Sequence, residues 1–92
     1  MRFKNQYEYE ARMEYFVDGL LRIQRRHYYW FESRYGESEA EEHDMIGNHV
    51  VITCRYPTLI FGYWSDSELP ENIRVECNAF FDEVFNHEQQ WN

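Results

Sequence analysis

The segment His49-Val50-Val51-Ile52-Thr53-Cys54-Arg55-Tyr56 is followed, after Pro57-Thr58, by Leu59-Ile60-Phe61-Gly62-Tyr63-Trp64. The first segment is rich in β-branched residues, which are typical of strands. Pro57 favours an extended conformation in the residue before it, so Tyr56-Pro57-Thr58 is expected to form a turn. The two segments therefore predict an antiparallel β-hairpin. Because two strands alone are marginally stable, a helix must cover one face or another chain must extend the sheet.

A long helix is predicted before the hairpin, over residues 5–35. Its apolar side chains recur at spacings of three and four residues, and a second row repeats every seven residues. The first row is Met13, Phe16, Val17, Leu20, Ile23, His27 and Phe31, and the second is Leu21, Tyr28 and Tyr35. Gly36 is well placed to end this helix. Gly19 costs about 1 kcal/mol relative to alanine, and it either permits the close approach of another helix or is simply tolerated.

A second helix is predicted after the hairpin, from Pro70 to about Glu88. Proline suits the first helical turn, and the acids beside it favour the positive end of the helix dipole. The apolar face of this helix is Ile73, Cys77, Phe80, Phe81, Val84 and Phe85. Cys54 and Cys77 are expected to be small core residues with free thiols.

Between the long helix and the hairpin lies Glu37-Ser38-Glu39-Ala40-Glu41-Glu42-His43-Asp44, with five carboxylates and no Lys or Arg. The segment has helix formers without apolar periodicity, so it is either a loop or a polar helical turn on the surface. It also divides the charge of the chain, because residues 1–35 carry a net +2 and residues 36–92 a net −10. Such a run is usually solvated surface, and the alternative is a surface that binds a basic partner.

Composition limits the possible functions. Ninety-two residues predict a single α+β domain over residues 1–92, with a small core. Eight Tyr, seven Phe and three Trp argue against a disordered acidic tail and indicate either an interface, such as that of a homodimer, or a Tyr-decorated surface. A homodimer is expected, because dimerisation would bury more surface than so small a core. The net charge of −8 argues against nucleic acid or an anionic membrane as partner. Without a signal-peptide pattern or the ~20 apolar residues of a membrane span, a cytoplasmic protein is expected.

No motif of a catalytic or cofactor-binding class occurs. The chain lacks G-x-S-x-G, a P-loop and a dinucleotide turn, and its His and Cys residues lack ligand spacing, so no enzyme, metal or cofactor is expected. Arg22-Ile23-Gln24-Arg25-Arg26-His27-Tyr28-Tyr29-Trp30 is a basic–aromatic cluster that could contact nucleic acid. Solvated arginines, an interface, or pairing of Arg25 and Arg26 with Glu37, Glu39 or acids of the last helix are favoured instead.

The net charge of the chain can be expressed as a length of DNA duplex. A duplex carries one negative charge per ~1.7 Å of axis, so a pair of chains, each at −8, would match about 27 Å or eight base pairs. Carboxylates two apart on a strand lie ~6.6 Å apart, and those three or four apart on a helix have β-carbons ~5–6 Å apart. Glu37, Glu39 and Glu41 fit the first spacing if they are extended. Acids along the last helix would continue the row.

The opening Met1-Arg2-Phe3-Lys4-Asn5-Gln6-Tyr7, the aromatic-rich first helix, the acidic run and the acidic closing helix resemble the Arn-like anti-restriction proteins of T-even-type phages, over the whole chain. The resemblance implies an α+β homodimer that mimics double-stranded DNA and occupies the host's McrBC restriction endonuclease, or a histone-like nucleoid protein. It implies no catalytic residues.

The resemblance also implies which residues carry the function, and these are surface acids. They are Glu37, Glu39, Glu41, Glu42, Asp44, Asp66, Glu68, Glu71, Glu76, Asp82 and Glu83. The net-positive first helix departs from uniform acidity and leaves open whether Glu8, Glu10, Glu14 and Asp18 belong to the same surface.

Two other functions stay open. A protein–protein adaptor or assembly subunit would use the aromatic helix face near Tyr28, Tyr29 and Trp30. An enzyme with a pair of carboxylates ranks third, because nothing in the sequence places two acids in an apolar pocket.

Overall fold

The computed structural model describes residues 5–55 and 58–86, and the side chains of Cys54, Arg55 and Thr58 lie outside this description. The chain has the α+β architecture that was predicted. Its elements are α1 (Gln6–Arg26), α2 (Tyr28–Tyr35), α3 (Glu37–Glu42), a 3₁₀ helix (Ile46–His49), β1 (Val50–Arg55), β2 (Thr58–Tyr63) and α4 (Glu71–Phe85). Three predicted features fall outside the described residues: the Tyr56-Pro57 turn, the core role of Cys54, and the last helix beyond residue 86 towards Glu88.

The N-terminal helical region consists of two helices, so the prediction of one helix over residues 5–35 is wrong. Asn5 begins α1, because its side chain accepts the backbone N–H of Glu8 at 2.9 Å. His27 interrupts the helix with φ −112° and ψ 33°. Its carbonyl then accepts the N–H of Trp30, which starts α2. Periodicity does not reveal this break, because the apolar spacing continues through it.

Gly36 ends α2 as predicted. Its φ of 95° is a conformation that residues with a β-carbon rarely adopt, and its N–H donates to the carbonyl of Glu32 at 2.8 Å. The chain then enters α3 directly. Of the two structures considered for the acidic segment, the polar helical turn is therefore correct for its first six residues.

The predicted hairpin is confirmed. β1 and β2 form a two-stranded antiparallel sheet, with pairs that run from Val50–Tyr63 to Arg55–Thr58. His49 belongs to the 3₁₀ helix rather than to the first strand. The side chains that the sheet contributes to the core are Val50, Ile52, Leu59, Phe61 and Tyr63. Helices α1 and α4 contact this face of the sheet through Phe61, as the marginal stability of an isolated hairpin requires.

Phe16 of α1 lies at the centre of the core. Its side chain is fully buried, and its ring centroid lies 5.4–5.6 Å from those of Phe61, Phe80, Phe81 and Phe85. A β-carbon at Gly19 would overlap the ring of Phe80, so this glycine permits a close approach between α1 and α4. Cys77 of α4 is buried with a free thiol, as expected.

Candidate functional site

Helix α3 presents four of the predicted site residues to solvent. They are Glu37, Glu39, Glu41 and Glu42. Ala40 between them is only 3% exposed and packs into the core. Of the two spacings considered, the helical one applies and the alternation of an extended chain does not, because a helix places residues three and four apart on the same side. Glu37 therefore neighbours Glu41, and Glu39 neighbours Glu42, on an element about 9 Å long.

A buried glutamine of α1 holds α3 in place. Gln24 is 3% exposed, and its Nε2 donates to the backbone carbonyls of Ala40 at 3.0 Å and His43 at 2.9 Å. Its Oε1 accepts the backbone N–H of Ile46 at 2.8 Å. These bonds satisfy carbonyls at the end of α3 that a helix leaves without internal partners. Sequence reasoning missed Gln24, although its place four residues after Leu20, on the buried face, indicates an amide with distant partners.

Asp44 extends the acidic surface from α3 to the 3₁₀ helix. Its side chain is exposed, and its Oδ1 accepts the backbone N–H of Gly47 at 2.9 Å. This is the local turn bond that aspartate commonly forms. The carboxylate of Asp44 therefore orders the turn and adds a negative charge to the same surface.

The carboxylates of α3 also influence the aromatic side of α2. Burial raises the pKa of Tyr28 to about 12, and the neighbouring carboxylates of Glu32, Glu41 and Glu37 add to the shift. Negative charge nearby opposes ionisation of the phenol. Acids of both α2 and α3 therefore act on the Tyr28 hydroxyl.

Three of the predicted acids lie in the loop before α4 and in its first turn, and they differ in their partners. Asp66, Glu68 and Glu71 are all exposed. Glu68 Oε2 lies 2.6 Å from Nη1 of Arg34 in the last turn of α2, which neutralises its charge and joins the loop to α2. Glu71 stands in the first turn of α4, where a negative charge is favourable.

Glu76 is half-buried between α1 and α4. Arg26 donates to its Oε1 from Nη2 at 2.7 Å and from Nε at 3.1 Å, and Nε2 of His27 contacts its Oε2. Partial burial acts to raise the pKa of Glu76, but the bonds from Arg26 and His27 outweigh it and hold the pKa below its ordinary value. The expected pairing of Arg26 with an acid of the last helix is therefore confirmed, whereas Arg25 is exposed.

The two remaining predicted acids, Asp82 and Glu83, lie on different sides of α4. Asp82 accepts a hydrogen bond from Asn86 Nδ2 at 2.8 Å and borders a groove beside Phe61. Glu83 borders another groove together with Glu76, on the side that faces α1. The acids of α4 therefore do not continue one row.

A second polar cluster lies beneath the aromatic end of α2. His49 is 6% exposed, and its Nε2 lies 2.5 Å from Tyr35 Oη while its Nδ1 lies 2.8 Å from Ser67 Oγ. Burial lowers the pKa of His49, and the positive charges of Arg34 and Arg74 lower it further. The neutral imidazole therefore joins α2, the 3₁₀ helix and the loop before α4. Sequence reasoning treated His49 only as a strand residue.

The aromatic face considered for an adaptor is smaller than its sequence indicates. Tyr29 is 82% exposed. Trp30 is half-buried, because its ring packs edge-on against Phe31 with centroids 4.9 Å apart and against His49 at 5.7 Å. Tyr28 is half-buried as well. Only Tyr29 of the three therefore presents a whole ring to a partner.

Within residues 5–55 and 58–86, no three His, Cys, Asp or Glu side chains are grouped so that they could hold a metal ion. None of the helices in these residues combines the length and the apolar character that crossing a membrane requires. Comparisons with protein-family models, curated proteins and solved structures gave no match.

Proposed function

We propose that this protein is a non-enzymatic inhibitor that mimics DNA and occupies the DNA-binding site of a host protein. The first target is a McrBC-like restriction endonuclease, and a histone-like nucleoid protein is the second. The protein acts as a homodimer in the host cytoplasm, without a catalytic residue, a metal or a cofactor.

The acidic surface of residues 37–44 carries the proposal. In the part of the chain that the structure describes, none of its carboxylates lies within 4.0 Å of a Lys or Arg nitrogen. Gln24 and Ala40 hold the segment on the body of the protein. A groove lined with Arg and Lys would therefore meet carboxylates carried on a held helix, with β-carbons ~5–6 Å apart. Binding would be weakened by added salt, as binding to a phosphate backbone is, because ions held by the charged surfaces are released when the two surfaces meet.

The total charge supports the same function. At −8 per chain, a homodimer matches the charge of about eight base pairs of duplex. Sequence-independent affinity for DNA comes largely from charge, so a charge mimic can compete without copying base edges. Glu68 and Glu76 are each paired with an arginine and contribute less to this field than the acids of α3.

Competition on the endonuclease tests the proposal. The protein should displace a labelled duplex from a McrBC-like endonuclease, and its binding should weaken steeply between about 50 and about 200 mM salt. The triple variant Glu39→Lys/Glu41→Lys/Glu42→Lys should bind at least about tenfold more weakly and melt as the wild type does. Each single change should have a small effect, because the field is shared among many acids.

The matched control is Glu10→Lys/Glu14→Lys/Asp18→Lys, which makes the same change in net charge on α1. Equal losses in the two triple variants would remove the special role of α3. Binding that persists at high salt, or that occurs together with DNA, would contradict mimicry altogether.

A protein–protein adaptor is the second candidate, and the exposure of Tyr29 favours it. Exposed aromatic side chains are enriched at interfaces. Under this function Tyr29→Ala would abolish partner binding, and added salt would have little effect. The same substitution should leave competition with DNA unchanged if the protein is a mimic, so one variant separates the two functions.

A further inference from the structure

A shallow groove of about 360 Å³ runs along α1 and is lined by residues of that helix alone. Its apolar floor is a row of residues four apart, Tyr9, Met13 and Val17. Val17 is 38% exposed, although nothing polar in its side chain favours solvent. Tyr9 and Met13 are half-buried and also pack against the core, so the floor combines the exposed Val17 with the outer parts of two larger side chains. An apolar strip of this kind, unlike scattered apolar residues, is typical of an interaction site.

The edge of this groove is a row of acids with the same spacing, Glu10, Glu14 and Asp18. All three are exposed, and within the described residues none lies within ion-pair distance of a cation. Asp18 and Arg22 have the spacing of a helical ion pair, but the Arg22 guanidinium lies over the Tyr15 ring, 5.7 Å from its centroid. The edge therefore keeps its full negative charge.

Glu8 of the same helix, unlike the three acids of the edge, is buried and bonded to an arginine. It is 8% exposed, and its Oε1 accepts a 2.8 Å hydrogen bond from Nη2 of Arg12. Nη1 of Arg12 also donates to the backbone carbonyl of Val84 at 3.0 Å. Glu8 is therefore used to attach α1 to α4, and the acidic edge begins at Glu10.

We propose that this groove docks an amphipathic helix of a partner protein, with Lys or Arg along one edge of its apolar stripe. Four residues advance a helix by about 6 Å, so the floor from Tyr9 to Val17 is about 12 Å long and suits two turns of a partner helix. The acidic edge selects a basic helix over an acidic one. The apolar floor selects a helix over a nucleic-acid backbone, which would leave that floor unpaired.

A second copy of the chain suits this groove less well. Antiparallel pairing of two such grooves by a two-fold axis would place both acidic edges on the same side of the interface. Like charges in that arrangement repel one another. The charge of the edge therefore favours a basic partner of a different sequence, and this inference does not depend on the α3 surface.

Binding of helical peptides to the full-length protein tests the inference. The probe is a labelled peptide in which Leu recurs every three or four residues and Lys borders the Leu row. One control peptide replaces each Lys by Glu, and another replaces each Leu by Ser. The Leu–Lys peptide should bind at least about tenfold more tightly than either control.

Variants locate the binding surface. Glu10→Gln/Glu14→Gln/Asp18→Asn should weaken binding of the Leu–Lys peptide roughly tenfold, because it removes the whole acidic edge. The matched variant Glu39→Gln/Glu41→Gln/Glu42→Gln, with the same change in net charge, should weaken it less than about threefold. Val17→Ser should also weaken it, and a thermal melt would verify that this exposed position leaves the fold intact.

Three results would overturn the inference. They are equal losses in the two triple variants, peptide-induced amide shifts that map to α3 instead of α1, and wild-type self-association that Val17→Ser abolishes. The last would assign the groove to a second copy. Failure of the proposed DNA mimicry would show in the endonuclease competition and would leave these peptide results unchanged.

Discussion

Glu76 on α4 and Glu41 on α3 belong to the same acidic half of the chain, and the fold places them in different environments. Glu76 lies between Arg26 and His27, so its carboxylate joins α4 to the end of α1. Glu41 is exposed on α3, which Gln24 of α1 holds through hydrogen bonds. Its charge helps to raise the pKa of Tyr28.

The comparison shows that the acids of this protein have two roles. Joining acids, such as Glu8 and Glu76, are wholly or partly buried and bonded to arginine. Glu76 bonds Arg26 across the contact between α4 and α1, and Glu8 orients Arg12, which donates to the Val84 carbonyl of α4. Displayed acids, such as those of α3, are exposed and create the field that a partner meets. A count of net charge treats both groups alike, although only the displayed acids are available to a partner.

The largest expected effect is on the core between α1 and α4, the two helices that Glu76 joins. Phe16→Ala removes a fully buried ring that contacts four others, which should lower the free energy of unfolding by about 3–5 kcal/mol. The melting temperature should fall by more than about 10 °C, as measured by circular dichroism. Tyr29→Ala, which removes an exposed ring, is the control and should change stability by less than about 0.5 kcal/mol. A small change in the Phe16 variant would show that α1 and α4 are not joined through this ring.

The second-largest effect concerns the hydrogen bonds by which Gln24 holds the acidic helix α3. Gln24→Ala leaves the carbonyls of Ala40 and His43 and the N–H of Ile46 without their partner, which should cost about 1–3 kcal/mol. Amide exchange in α3 should accelerate, and binding to the target should weaken although no charge has changed. Gln24→Glu keeps the acceptor for Ile46 but turns a carboxylate oxygen towards the carbonyls of Ala40 and His43, so it should fare no better. An unchanged rate of amide exchange in α3 would show that the hydrogen bonds from Gln24 do not stabilise this helix.

A change of pH should affect the His49 cluster. Burial and two nearby arginines lower the pKa of His49 in the folded state below the unfolded value of about 6.5. The unfolded chain then binds the proton more readily, so the stability from neutral His49 is full above pH ~6.5 and is lost as the pH falls below it. Urea unfolding between pH 8 and pH 5 measures this loss, and His49→Gln should reduce it. A wild-type stability that rises on acidification over this range would contradict the assignment.

The smallest expected effect is the difference in stability between a variant of a joining acid and a variant of a displayed acid. Glu76→Gln removes a partly exposed ion pair and should cost at most about 1 kcal/mol. Glu41→Gln should cost nothing, because among the described residues no cation lies within 4.0 Å of this displayed carboxylate. Chemical denaturation of the two variants under the same conditions measures the difference. Equal stability losses would erase the distinction between joining and displayed acids.

Local signals in the sequence predict most of the fold. β-Branched residues and Pro57 indicate the hairpin, three-and-four spacing indicates the helices, and Gly36 indicates where α2 ends, because each signal depends on neighbouring residues only. The break at His27 is missed for the same reason. His27 contacts Glu76, a residue 49 positions away, and no local pattern contains that contact.

The candidate site is less predictable than the fold. The sequence indicates which side chains are acidic and which segment is richest in them. It does not indicate that Glu68 is neutralised by Arg34, or that Asp82 and Glu83 lie on different sides of α4. It also hides the role of Gln24, whose amide appears as an ordinary polar residue until α3 packs against it.

By itself, the sequence determined the N-terminal helical region, the hairpin and the last helix in that order, together with their apolar faces and the amount of negative charge, because these follow from periodicity and composition. Only the tertiary structure decided which acids join helices and which are displayed. The physical reason is that ion pairs such as Arg26–Glu76 span fifty residues and form only where the helices pack closely. That close packing depends on Gly19, which leaves room for the ring of Phe80.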